Sequence, residues 1–296
     1  FKYEDGYYGA PWNFGAVGIW YNTRLFAEAG IENVPTTWDE FLTVVQQLKD
    51  AGITPIALGE REKWPGHFWW VYLAIRAGGQ AAFENAYTRE GTFADAPFVQ
   101  AGELLQQLIA LEPFQEGYLG SGYGDAAALM GNGVAAMELM GQWAPGVQIG
   151  NSESGEGLPE GELGWFPFPM VDGGAGNASD VLGGGDGIAV GVNASPEAVD
   201  FLRYITTPEN QVRFVELGTG VIPTVAGAEE SVTDPLLQGV LAARNDAEYY
   251  QLYYDQFLPP SIAQAVLDAV EGLFVGTLTP ADAAQAIEDA ASFELD

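Results

Sequence analysis

Three tryptophans stand where the chain turns, outside any periodic segment. Trp12 and Asn13 follow Pro11, Trp64 precedes Pro65-Gly66-His67 and Phe68, and Trp143 lies between Gly141-Gln142 and Ala144-Pro145. An aromatic plate at the end of an element is well placed to wall a cleft, in which a few oriented polar groups supply specificity. Such a set suits a sugar ring. Its apolar C–H face stacks on an aromatic ring, and its hydroxyl rim seeks Asp, Asn or His. The competing explanation is plain core packing, which is the default for any single tryptophan.

Other chemistries find less support. The chain has no cysteine and one histidine, His67, which removes thiol nucleophiles, disulfides and His-rich zinc sites. No G-x-S-x-G elbow accompanies His67. Gly183-Gly184-Gly185-Asp186-Gly187 lacks the phosphate-loop pattern and runs into an apolar strand-like stretch, so no nucleotide cofactor is expected. Asp172–Asp180 lacks the ligand spacing of a calcium loop and reads as a solvated acidic loop, so no metal is expected. A carboxylate pair for glycoside hydrolysis stays open, since 41 acidic residues bring some pair together by chance and no spacing singles one out. The same excess over 10 basic residues, net −31, argues against nucleic acid and anionic membrane surfaces. No apolar run reaches about 18 residues, and the opening Phe1-Lys2-Tyr3-Glu4-Asp5 lacks the apolar core of a secretory signal.

The elements that must hold these residues alternate between strand and helix patterns, which implies an α/β fold in one large or two ordinary domains. Short apolar runs predict strands at Val17–Tyr21, Thr54–Leu58, Val134–Leu139 and Gly187–Val192. Thr37-Trp38-Asp39-Glu40 is a capping box ahead of apolar Phe41, Leu42, Val45 and Leu48. Ser195-Pro196, Thr207-Pro208 and Thr279-Pro280 each set a hydroxyl before a first-turn proline. Gly150–Glu162 reads as an exposed loop, and the amphipathic stretches Ala263–Leu273 and Ala281–Ala291 as helices packed on a core.

Ordered blocks along the chain carry a resemblance. Asp5-Gly6-x-Tyr8-Gly9-x-Pro11, Ile19-Trp20-Tyr21-Asn22-Thr23-Arg24-Leu25-Phe26, Pro35-Thr36-Thr37-Trp38-Asp39-Glu40-Phe41 and Gly52-x-Thr54-Pro55-Ile56 come first. Arg76-x-Gly78-Gly79, Gly133-x-Ala135-Ala136-Met137, Gly141-x-Trp143, Phe166-Pro167-Phe168-Pro169, Gly184-Gly185-x-Gly187 and Pro208-Glu209-x-Gln211 follow. Together they resemble the family 1 extracellular solute-binding proteins, the sugar receptors of ABC importers. The resemblance implies a two-lobed periplasmic-binding-protein-like (type II) α/β fold that closes on its ligand. It places residues 14–182 plus 256–296 in the second lobe. Residues 1–13 plus 183–255 become the hinge and part of a first lobe expected to be incomplete, because members carry roughly a hundred further residues before the first block.

At the cleft positions the resemblance implies Trp64 and Trp143 as stacking plates, with Trp12 as a third. Asn13, His67 and Asp186 become hydroxyl partners and Phe68 an apolar wall. His67 as a helix-start residue and Asp186 as a turn residue are the competing assignments. The implied function is non-enzymatic capture of a carbohydrate, an oligosaccharide in the first instance, for delivery to an ABC transporter membrane permease. The protein is expected to be an extracellular monomer, periplasmic or lipid-anchored, and a non-sugar solute stays open as ligand.

Overall fold

The computed structural model describes residues 1–218 and 220–295; Thr219 and Asp296, the last residue of the expected 256–296 segment, lie outside it. The strands are β1 (Lys2–Tyr3), β2 (Gly6–Tyr7), β3 (Ala10–Ala16), β4 (Gly18–Asn22), β5 (Thr54–Ile56), β6 (Ala135–Met140), β7 (Leu163–Phe166), β8 (Val181–Ile188) and β9 (Tyr250–Leu252). The helices of the first half are α1 (Thr23–Glu28), α2 (Trp38–Asp50), α3 (Trp64–Thr88), α4 (Ala96–Ala110), α5 (Tyr123–Gly131) and α6 (Ala144–Asn151). Those of the second half are α7 (Pro196–Ile205), α8 (Pro208–Glu216), α9 (Pro235–Asn245), α10 (Tyr254–Phe257), α11 (Pro260–Val275) and α12 (Pro280–Leu295).

Two sheets organise the chain. One has the order β5-β6-β4-β7, with β4 antiparallel to both neighbours and β5 parallel to β6. The other has the order β3-β8-β9, with β8 antiparallel to β3 and parallel to β9. Only Val17 separates β3 from β4, so one continuous stretch of chain passes from one sheet into the other.

Local capping signals held at Thr37, Thr207 and Thr279 but not at Ser195, whose side chain makes no cap hydrogen bond. The Thr37 side chain accepts from the Glu40 N–H while Glu40 accepts from the Thr37 N–H, both halves of the capping box. Thr207 accepts from the Asn210 N–H, and Thr279 from the Asp282 N–H. The core is aromatic: Trp38 stacks on Phe41 and Phe168, and Tyr72 lies parallel to Phe168 at 4.5 Å. Trp20, Trp38, Trp69 and Trp70 are buried in it, so core packing is the correct account for these four. Ile262, Val266, Val270 and Leu273 of α11 and Ala284, Ile287 and Ala291 of α12 join the same core, as the amphipathic pattern implied.

Two expectations fail. The strand expected at Gly187–Val192 is instead Val181–Ile188, because its ladder partner β3 begins at Ala10, paired with Ile188. Residues 189–192 form no ladder, and Val192 is almost wholly exposed. The loop Asp172–Asp180 is not simply solvated. It folds over the buried Arg76 guanidinium, which donates to the carbonyls of Asn177 and Asp180 at 2.8 Å and of Ala178 at 3.4 Å. Arg76 also donates to the Phe168 and Pro169 carbonyls at 2.9 and 3.1 Å. A run of carbonyls on one buried cation has no signature in acid spacing, which is why composition alone read this loop as solvent-facing.

Candidate functional site

A cavity of about 340 Å³ opens where the two sheets meet. Its walls come from β3 (Asn13), the first turns of α3 and α5 (Trp64, Phe68, Tyr123), the turn after β6 (Gln142, Trp143), β8 (Gly184, Gly185, Asp186) and the β9–α10 junction (Tyr253, Asp255, Gln256). A second cavity of about 830 Å³ adjoins it and shares Asn13, Gly184, Gly185, Tyr253 and Gln256.

The aromatic residues form connected walls. Trp64 meets Phe68 and Tyr123 edge to face at 5.4 and 5.0 Å. Phe68 stacks on Tyr253 at 5.0 Å, and Trp143 meets Tyr253 edge-on at 6.5 Å. Trp64 and Trp143 are each partly exposed, so each keeps ring surface for a ligand. The turn bearing Trp143 is held from behind: the buried Trp20 indole donates to the Met140 and Gly141 carbonyls at 3.2 and 3.1 Å. The glycines permit close approach rather than phosphate binding. A Cβ at Gly184 would run into the Tyr253 ring, and one at Gly15 into the Gln142 side chain.

Polar groups collect at the same place. Asn13 and Asp186 face each other across the β3–β8 ladder. The Asn13 side-chain oxygen accepts from the Ile222 N–H at 3.0 Å, which leaves its amide as the donor for a ligand. The buried Gln142 amide has no hydrogen-bond partner on either atom, and neither has the Tyr253 hydroxyl; the Tyr123 hydroxyl lies against Trp143, and Asp255 Oδ1 meets His67 Nε2 at 3.3 Å. Native interiors rarely leave so many polar atoms unpaired in one place, so this cluster asks for a ligand or water. Burial holds both phenols above their usual range, with buried Glu138 adding to the effect at Tyr123, so both remain neutral hydroxyls. Among the described residues, no Lys or Arg lines the cavity. Among the described residues, no three His, Asp or Glu side chains are arranged to hold a metal ion.

The geometry brings Asn13, Trp64, Phe68, Trp143 and Asp186 to one cavity, and it moves two expected residues elsewhere. Trp12 lies outside that wall and meets Phe214 of α8 edge-on at 4.4 Å. The β3–β8 register shifts between Pro11, paired with Gly187, and Asn13, paired with Asp186, so Trp12 is the extra residue of a bulge and drops out of the ladder that carries Asn13 to the cavity. His67 is fully buried behind the cavity: its Nδ1 lies 2.5 Å from the Trp64 carbonyl and its Nε2 3.3 Å from Asp255 Oδ1. It touches the site through Asp255 and offers no atom to a sugar hydroxyl.

Residues 1–212 match the bacterial extracellular solute-binding protein family. The chain belongs to that family. A multiple sugar-binding protein of Streptococcus mutans is 28% identical over 265 residues, covering 85% of this chain and 59% of the relative. An ABC transporter extracellular-binding protein of Pyrococcus horikoshii is 32% identical over 146 residues, 49% of this chain and 33% of the relative. The chain thus spans less than two thirds of the length of either. Among solved structures, one from work on xylan utilization by Caldanaerobius polysaccharolyticus superposes with a TM-score of 0.89 at 26% identity, covering 97% of this chain and 74% of that one. A chitin oligosaccharide binding protein superposes with a TM-score of 0.88 at 25% identity, covering 100% and 73%. The two-lobed architecture of these neighbours is the fold of this chain.

In this solute-binding protein, sequence reasoning missed Tyr123, Gln142, Tyr253, Asp255 and Gln256. Gln142 carried a signal, since it sits inside the Gly141-x-Trp143 block. Tyr123, first in α5, is held where the Glu62 carboxylate accepts its N–H at 3.0 Å, a contact 61 residues distant in sequence. Tyr253 and Asp255 return from far along the chain, and no local pattern marks them.

Proposed function

We propose that this chain is the ligand-binding part of a non-enzymatic receptor that captures a carbohydrate, in the first instance an oligosaccharide, and presents it to the membrane permease of an ABC transporter. The observation that carries this is the cavity itself: five aromatic side chains surround hydroxyl, amide and carboxylate groups, with no Lys or Arg among the described residues that line it. That combination suits the apolar faces and hydroxyl edges of sugar rings and disfavours an anionic solute. The likeness to a multiple sugar-binding protein and to a chitin oligosaccharide binding protein supports it. Residues 14–182 with 256–296 act as one lobe, residues 1–13 with 183–255 as hinge and part of the other, and the ligand stabilises their closed arrangement. The receptor works as an extracellular monomer, periplasmic or lipid-anchored.

The test is a thermal-shift panel of mono- and oligosaccharides followed by analysis of the recovered sugar. A receptor melts at higher temperature with its ligand, which is recovered intact. No shift with any sugar refutes carbohydrate capture. Cleaved sugar, lost when Asp186 or Asp255 is replaced, would make the protein a hydrolase working through that carboxylate pair.

A further inference from the structure

Resting on the carbohydrate reading above, we infer that the cavity selects a sugar carrying a free amine, protonated at neutral pH, over the same sugar with a hydroxyl in that place. Its walls are rich in aromatic π-surface: Trp64, Phe68, Tyr123, Trp143 and Tyr253 all line it. Ring faces attract a cation placed within about 6 Å of their centroids, and several rings together form a cage for an ammonium group. The formal charges on the lining residues are both negative, on Asp186 and Asp255.

The nearby arginine is otherwise engaged. Arg244, in the adjoining cavity, donates to the Phe14 carbonyl at 2.9 Å and to Glu229 Oε1 at 2.5 Å. His67 faces Asp255 from the buried side, away from the cavity. Asp255 Oδ1 meets His67 Nε2 at 3.3 Å on the buried side, while the side chain keeps 17% of its surface exposed at the cavity wall. A neutral hydroxyl satisfies such an acceptor. An ammonium group satisfies it and adds a Coulomb attraction to both carboxylates, in a setting less screened than bulk water.

The experiment is calorimetric titration of the full chain with three matched oligosaccharides: a neutral hexose oligomer, its 2-amino counterpart and the N-acetylated form of the latter. The 2-amino oligomer is expected to bind at least tenfold more tightly than both neutral compounds, by a ratio that shrinks as salt is added. In Asp186→Asn and Asp255→Asn the ratio is expected to fall toward one, whatever happens to absolute affinity. Equal binding of the three, tightest binding of either neutral compound, or a ratio unmoved by salt overturns the charge preference. If the variants do not fold, the salt series on the unaltered chain decides. Failure of all three compounds to bind overturns the carbohydrate reading itself.

Discussion

Replacing Arg76 by lysine probes how the second sheet is held beside the cavity. The guanidinium is fully buried and spans the carbonyls of Phe168, Pro169, Asn177, Ala178 and Asp180, at 2.8 to 3.4 Å. These carbonyls belong to the segment that leads directly into β8, which carries Gly184–Asp186 to the cavity wall. Burial pulls the Arg76 pKa down from its ordinary value, yet the planar fork offers five donors, whereas an ammonium offers three from a single point. Lysine therefore leaves at least two buried carbonyls unpaired, each costing about 1–3 kcal/mol, so Arg76→Lys should lower unfolding stability by about 2–6 kcal/mol. That is a large share of the roughly 5–15 kcal/mol typical of a folded domain. Urea denaturation reads it directly as a shift of midpoint at unchanged slope. A loss below about 0.5 kcal/mol would mean that the carbonyls find other partners, and the account of Arg76 as the anchor of this segment would be wrong.

Two further outcomes follow from particular contacts. Trp143→Ala should weaken binding of the cognate sugar by about 1–3 kcal/mol, the scale of one buried aromatic contact, and unchanged affinity in a titration would remove Trp143 from the site. Burial pushes the Glu138 carboxyl up to about 7, so the folded protein holds a proton that the unfolded chain releases near 4.5. Stability from this group is therefore greatest below about pH 4.5 and is lost as pH rises toward 7, on the order of 3 kcal/mol in all. Glu138→Gln keeps an acceptor for Gln148 Nε2 and removes the titration. The variant should melt higher than the unaltered chain at pH 8 and converge with it in acid, and parallel melting curves across that range would refute the assignment.

Much of the fold was legible because its signals are short-ranged. The Thr37–Glu40 box closes within four residues, and the strands β4, β5 and β6 fall in the apolar runs that predicted them. Register was less legible. Where β8 stops depends on where β3 starts, and the valines beyond Ile188 look equally strand-like in one dimension. Arg76 shows the same limit, since its acceptors are backbone carbonyls, which every residue carries and no sequence distinguishes.

The candidate site divides in the same way. Residue type and turn placement were enough to nominate Trp64, Trp143, Asn13, Phe68 and Asp186, which stand on strand ends and helix starts and reach the cavity with their backbone direction. Trp12, nominated as a third plate, and His67, nominated as a hydroxyl partner, leave the cavity wall because a bulge in β3 displaces one and α3 buries the other. Tyr253 and Asp255 became part of the site because the chain returns to β8 and α3 after more than sixty residues, the Tyr253 N–H donating to the Gly183 carbonyl. Composition and ordered blocks determined the family and the chemistry expected of its ligand. Which side chains share a cavity, and which stand behind its wall, was decided by strand pairing and packing across the chain, interactions that leave no local mark.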